Sequence, residues 1–177
     1  PDWSKDGNNE SIDQACVANA CNPGKNLQAA GYCMYSSSTI LMLTVGDGVF
    51  GFTYDPSVGE FINSHERVTI PNRGKIYSIN EGNRDGWSVG VKNWVDALKN
   101  GGPDANGKPY SARYIGSLVA DVHRTLLYGG VCAQTASSQN PEGRLRLLTE
   151  AGPMAFVAEQ VRNFPNHHIP STDYCYV

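Results

Sequence analysis

The sequence has no long hydrophobic run. Its most apolar stretch, residues 39–45, is seven residues long, against the roughly 20 that a membrane-spanning helix requires. It has no excess of basic charge either. With 14 Lys and Arg against 17 Asp and Glu the net charge is −3 and the pI is near 5.8. No basic stripe is available to release phosphate counterions, which argues against nucleic acid as a partner, as the short apolar runs argue against a membrane. The opening residues Pro1-Asp2-Trp3-Ser4-Lys5-Asp6 are polar and unlike the apolar core of a signal peptide, and an initiator Met is lacking. A processed or incomplete chain is expected. Internal repeats are missing, as are the G-x-S-x-G elbow, the Walker loop, H-E-x-x-H and the EF-hand loop. Any catalysis is therefore unannounced by a common short pattern. What is present is a globular composition: 40% of the 177 residues are hydrophobic, which excludes disorder over the whole chain and fits one domain or slightly more.

The five cysteines, Cys16, Cys21, Cys33, Cys132 and Cys175, are odd in number and fit neither a secreted disulfide framework nor a zinc finger. Cys33 and Cys132 read as buried, inert thiols. Cys16 and Cys21 stand in an Asn-rich segment read as exposed loop, where thiols are candidates for a redox switch.

Periodicity gives the elements. Residues 1–15 read as loop, and 31–38 are small and polar. The β-branched run 39–45 predicts a buried strand, returned by 49–54 across Gly46-Asp47-Gly48 as a hairpin. Short strands are expected at 60–62, 67–70 and 75–80. Val91, Trp94, Val95 and Leu98 recur at helical spacing up to Gly101. Ser117 is an N-cap candidate for a helix carrying Leu118, Val119, Val122 and Leu126 and ending at Gly129-Gly130. The alternation at 144–148 predicts a strand. Pro153 opens a helix with Met154, Val157 and Val161 on one face. Strands followed by strands alternating with helices argue a mixed, layered α/β fold.

Two places could carry chemistry. Arg113 and Tyr114 stand just before the Ser117 helix start, where free backbone N–H groups and the helix dipole favour an anion such as phosphate. The Arg fork suits phosphate oxygens. The same pattern also reads as an ordinary capped helix with a surface Arg. Glu150, between an expected strand and an expected helix, reads either as a ligand for Mg²⁺, which prefers oxygen donors, or as a solvated charge. Arg144 and Arg146 should point to opposite faces of their strand. His123 reads as a structural histidine, His65 as turn surface.

Four blocks carry a resemblance: NLQAAGYCMYSSS (26–38), GKIYSINEGN (74–83), PYSARYIGSLVADVHRTLLYGG (109–130) and GRLRLLTEAGPMAFVAEQ (143–160). They resemble the fructose-1,6-bisphosphatase family over residues 11 to 160, and CVANACNPG (16–24) is similar to its plastid, redox-regulated branch. The resemblance implies a layered α/β sandwich of the sugar-phosphatase type, of which this is the C-terminal half, a tetramer when full length, and Mg²⁺-dependent hydrolysis of the 1-phosphate of fructose 1,6-bisphosphate. It implies that Asn80, Arg113 and Tyr114 bind the 6-phosphate, with Arg113 reaching across a subunit interface. Ser117 and Leu118 then contact the sugar, Arg144 replaces a family Lys near it, and Glu150 holds a metal. It implies thioredoxin acting on the set that includes Cys16 and Cys21, a chloroplast stroma location with the cytoplasm as alternative, and a place in the Calvin cycle or gluconeogenesis.

The expected organisation is a redox-loop segment at 1–25, a sugar-phosphatase portion at 26–161 and an atypical tail at 162–177. The family pattern also contains an aspartate-rich D-P-x-D-G-S-S loop and paired Glu residues, absent here. No catalytic residue is identified within the chain. It is expected to be a fragment inactive by itself, with a non-catalytic, truncated paralogue as the alternative. Gln134, where the family has a Tyr, removes an aromatic hydroxyl.

Overall fold

The computed structural model describes residues 9–20, 22–71, 73–102 and 107–162. Four strands, β1 (Ala30–Tyr35), β2 (Thr39–Thr44), β3 (Phe50–Asp55) and β4 (Glu60–His65), form an antiparallel meander in chain order. Tyr32 pairs with Met42, and Met42 with Gly51, so these residues share one face of the sheet. That face is the core side. Tyr32 and Met42 pack there with Val122, Leu126, Met154, Val157 and Val161. The other face is wetter, and Leu43, Tyr54 and Phe61 on it keep 36%, 38% and 44% of their surface exposed.

A second sheet is parallel. β5 (Ile76–Ser78) lies between β6 (Ser111–Ala112) and β7 (Val131–Cys132). Helix α2 (Val89–Asn100) connects β5 to β6, and α3 (Leu118–Tyr128) connects β6 to β7. Strand alternation then separates the two helices. Tyr77, Ile79 and Val131 pack with Val95 and Leu98 of α2, whereas Cys132 packs with Val122 and Leu126 of α3. The helices thus cover opposite faces of the parallel sheet. Right-handed crossovers that leave β5 for one neighbour and then jump back over it require this.

Local chemistry fixes each helix. The Ser88 hydroxyl caps α2 by accepting from the Val91 amide at 3.3 Å, and Gly101 ends the helix in the left-handed region at φ 70°, where glycine carries no Cβ penalty. Helix α4 (Gly152–Arg162) accepts Pro153 in its first turn, where the missing N–H has no partner to lose. Its face of Met154, Val157 and Val161 is buried as the spacing requires, each such side chain contributing about 1.5–3 kcal/mol over an exposed one.

Several expectations change. Residues 9–20 are helix α1, not loop. Ala15, Ala18 and Ala20 with no Gly or Pro favour a helix, but polar residues all round it leave no apolar stripe to read. Segment 31–38, read only as small and polar, contains most of β1, held by its ladder to β2. The strand read as buried, β2, is buried on one side only. Residues 67–70 form no strand, although Val68 is buried and its amide donates to the Val49 carbonyl at 2.8 Å. Residues 144–148 form none either. The chain bends at Arg144, is extended at Arg146 and then winds into a π-helical turn, Leu147–Ala151, in which the Glu150 and Ala151 amides share the Arg146 carbonyl at 3.0 and 2.9 Å. With no partner strand, the expected opposition of Arg144 and Arg146 lapses. Cys132 is buried but Cys33 only half-buried. His65 ends β4 rather than sitting in a turn. The tail expected at 162–177 lies outside the described residues except for Arg162.

Candidate functional site

The loops that follow β5 and β6 leave in opposite directions. After β5 the chain passes Asn80, makes a tight helical turn, Glu81–Gly86, and enters α2 on one face. After β6 it passes Arg113 and Tyr114 and enters α3 on the other. Adjacent parallel strands whose following loops diverge leave a crevice at their carboxyl ends, the usual ligand position in open α/β sheets. Here Asn80 stands at one lip of that crevice and Arg113 at the other.

Each lip is braced. Asn80 caps its turn, its Oδ1 accepting from the Gly82 amide at 3.1 Å. Glu81 accepts from the Tyr77 hydroxyl at 2.5 Å and from Lys99 Nζ of α2 at 2.7 Å. The Lys99 bond, with help from Tyr77, holds the Glu81 carboxyl below the usual carboxylate range. Burial, reinforced by Glu81, pushes the Tyr77 hydroxyl well above the ordinary tyrosine value. Arg84 pairs with Asp96 at 2.7 Å, tying the same turn to α2 a second time and holding the Asp96 carboxyl down.

Across the crevice the Arg113 amide donates to the Tyr77 carbonyl at 2.9 Å, extending the β5–β6 ladder by one residue. Its side chain is exposed and donates to the Ala112 carbonyl at 2.8 Å. Tyr114 keeps 45% of its surface exposed, and its ring lies beside Gly116, whose φ of +86° turns the chain toward the helix. Ser117 occupies the N-cap position as expected, but its side chain makes no capping bond. The carboxylate of Asp121 serves the loop instead. It accepts from the Ile115 amide at 3.1 Å, the Gly116 amide at 3.1 Å, the Ser78 hydroxyl at 2.6 Å and Arg124 at 2.8 Å. Arg124 also donates to the Arg113 carbonyl. The first intrahelical bond runs from the Asp121 amide to the Ser117 carbonyl at 2.9 Å, so the amides of Leu118, Val119 and Ala120 have no partner within the helix. Together with the Arg113 guanidinium they form a donor set for an anion.

The structure therefore brings Asn80, Arg113, Tyr114, Ser117 and Leu118 to one edge. The hydrogen-bonded frame of that edge does not include Arg144 or Glu150. Arg144 is exposed. Glu150 lies within the π-helical turn rather than at a strand end, and its Oε2 accepts from the Arg146 amide at 2.8 Å. Among the described residues no group of three or more His, Cys, Asp or Glu could hold a metal ion. An octahedral, oxygen-loving cation such as Mg²⁺ does not fit this donor set. Cys16 is exposed, though on α1 and not on a loop. Cys21 lies outside the described residues. His123 is buried, bonded to the Tyr32 hydroxyl at 3.0 Å, and burial pulls its imidazole below the ordinary value. No helix among the described residues is long and apolar enough to cross a membrane.

Asp121, Ser78, Arg124 and Glu81 escaped the sequence reading. One signal was available: Asp121 and Arg124 are an i, i+3 pair of opposite charge in the opening turns of the very helix that follows the candidate loop.

Fold and site together describe a mixed α/β protein with an anion-suited edge at a topological switch point. The family model of the fructose-1-6-bisphosphatase C-terminal domain matches residues 70–162, and that of the N-terminal domain matches residues 5–66. The chain belongs to the fructose-1,6-bisphosphatase family. The seam between the two matches falls in the segment joining the antiparallel sheet to the parallel one. Chloroplastic fructose-1,6-bisphosphatase of Brassica napus is 54% identical over 160 residues, covering 89% of this chain and 38% of the relative. Chloroplastic fructose-1,6-bisphosphatase 1 of Arabidopsis thaliana is 56% identical over 150 residues, covering 85% of this chain and 36% of the relative. The crystal structure of Leishmania major fructose-1,6-bisphosphatase in apo form superposes with a TM-score of 0.80 at 43% identity, over 91% of this chain and 50% of that one. The holo form gives 0.75 at 48% identity, over 79% and 45%. The chain thus spans between about a third and a half of the length of the relatives it matches.

Proposed function

We propose that this chain supplies the sugar-phosphate-binding edge of a fructose-1,6-bisphosphatase, an enzyme that hydrolyses the 1-phosphate of fructose 1,6-bisphosphate. The observation that carries the reading is the convergence of Asn80, Arg113, Tyr114, Ser117 and Leu118 on the carboxyl ends of β5 and β6. The Arg113 fork and the unpartnered first-turn amides of α3 would hold the 6-phosphate, with Asn80 closing on it from the opposite lip. Tyr114 offers a phenolic donor beside them. Arg144 would reach the sugar from a separate segment.

The hydrolytic step itself needs more than these residues. The family resemblance implies a divalent cation, which would supply an activated water; several carboxylates would be needed to hold it, and Glu150 would be a single contribution. Fructose-bisphosphatase activity is accordingly assigned to the family architecture, in which this chain would act as a part. A tetrameric assembly, thioredoxin control through Cys16 and Cys21, a chloroplast stromal location and service in the Calvin cycle follow from the same reading, the location resting on the names of the chloroplastic relatives. A second reading is favoured by the lack of a metal-holding cluster among the described residues: a non-catalytic paralogue that binds sugar phosphate or joins full-length subunits.

Equilibrium binding of fructose 6-phosphate to the 177-residue chain tests the site. The chain should bind, and Arg113→Ala should weaken binding roughly tenfold or more, the loss of a charge-assisted fork. No binding, or an unaffected variant, contradicts the proposal. In a Mg²⁺-dependent phosphate-release assay with fructose 1,6-bisphosphate the chain by itself should show little or no turnover. Robust turnover would show that a metal site forms in it after all.

A further inference from the structure

We infer that Asp121 is a positioning residue for the anion-binding loop, holding it at the geometry that a sugar phosphate requires. The inference deepens the proposed function and rests on it. Asp121 is 3% exposed and touches no ligand position itself. It joins three separate pieces of the edge. Through Ser78 it is fixed to the end of β5, two residues before Asn80. Through the Ile115 and Gly116 amides it holds the connection between Arg113 and the helix start. Through Arg124 it reaches the Arg113 carbonyl, since the same guanidinium nitrogen donates to both.

The charge arrangement supports the same role. A carboxylate in the first turn of a helix is favoured by the dipole, yet beside an anion site it would repel the ligand. Arg124, whose side chain is 19% exposed against 4% for Asp121, neutralises it within the frame. The Ile115 and Gly116 amides are turned inward onto Asp121, while those of Leu118, Val119 and Ala120 remain for a ligand. Asp121 thus decides which backbone donors face the crevice. Ser117 makes no side-chain capping bond that could do this in its place.

The test is fructose 6-phosphate binding to the full chain, compared across wild type, Asp121→Asn, Arg124→Gln and Val157→Ala. Val157 is fully buried on α4 and its apolar side chain takes no part in the hydrogen-bonded frame, so its truncation serves as a control that lowers stability without removing a frame bond. Asp121→Asn and Arg124→Gln should each raise Kd roughly tenfold or more, because loosening a preorganised loop moves its ordering cost into the binding step. Val157→Ala should leave Kd unchanged at a comparable loss of stability. The Ile115 and Gly116 amide resonances, hydrogen-bonded to a carboxylate in the wild type, should shift in Asp121→Asn. If Asp121→Asn does not fold, Arg124→Gln decides between the outcomes. Wild-type binding with unchanged Kd in the frame variants overturns the inference and leaves the proposed function intact. Equal weakening by Val157→Ala overturns it as well, since the effect would then follow stability alone. Failure of the wild type to bind overturns both.

Discussion

Gly74 precedes β5 and is buried against the turn that ends α3. A Cβ at this position would lie 1.9 Å from the Gly130 amide nitrogen, 2.1 Å from the Gly129 carbonyl carbon and 2.3 Å from the Gly130 Cα. Favourable heavy-atom separations are about 3.5–4.0 Å, so Gly74→Ala forces two backbone segments about 1.5 Å apart. Neither side of the contact is a flexible side chain that could swing away. Inserting a methyl into tight packing costs about 1–3 kcal/mol and occasionally more, and with backbone on both sides the loss should reach about 3 kcal/mol or beyond. The displaced segments are the start of β5 and the entry to β7, so the strand pairing under the Asn80 lip is disturbed together with stability. Urea denaturation followed by far-UV circular dichroism measures the loss. Gly24→Ala is the control: nothing lies within 4 Å of the position its methyl would take, and its effect should stay within about 0.5 kcal/mol. A loss below about 1 kcal/mol for Gly74→Ala would refute the close approach on which the sheet geometry rests.

Two further outcomes are expected. Burial depresses the His123 imidazole, so the folded chain binds fewer protons there than the unfolded chain. Its contribution is fully present above the unfolded value of about 6.5 and is lost as pH falls through the folded one. Thermal melts between pH 8 and 5 should therefore show a fall in stability below about pH 6.5 that is smaller in His123→Gln, and equal slopes would contradict the assignment. Under native conditions a thiol reagent should modify exposed Cys16 before half-buried Cys33, and buried Cys132 last; preferential modification of Cys132 would contradict the packing around β7.

The sequence was legible where a single period governed burial. Val95 and Leu98 of α2, Val122 and Leu126 of α3, and Met154, Val157 and Val161 of α4 are buried as their spacing demands, and the β2–β3 hairpin follows its β-branched run and glycine turn. Failure came where a partner, not a pattern, decided the outcome. β1 has a Gly and mixed polarity, and becomes a strand because β2 completes its ladder. Residues 144–146 alternate well but find no neighbouring strand, so the chain winds into a π-helical turn. Helix α1 is exposed along its described side chains and left no apolar stripe to find. At the site, Arg113 and the α3 start were readable from the helix-start chemistry, and Asn80 came from the family resemblance. Asp121 was not found, because its four partners come from two loop residues, a strand and its own helix, a convergence created only by folding.

The most direct test of the central claim is a residue-by-residue map of where fructose 6-phosphate lands, from backbone amide shifts of the labelled chain during titration. The account predicts that Asn80, Arg113, Tyr114, Ser117 and Leu118 move together with a single Kd, while Lys75 and Lys108 at the opposite, amino end of the parallel strands stay still. Shifts concentrated around Lys75 and Lys108, with the α3 start unmoved, would contradict it.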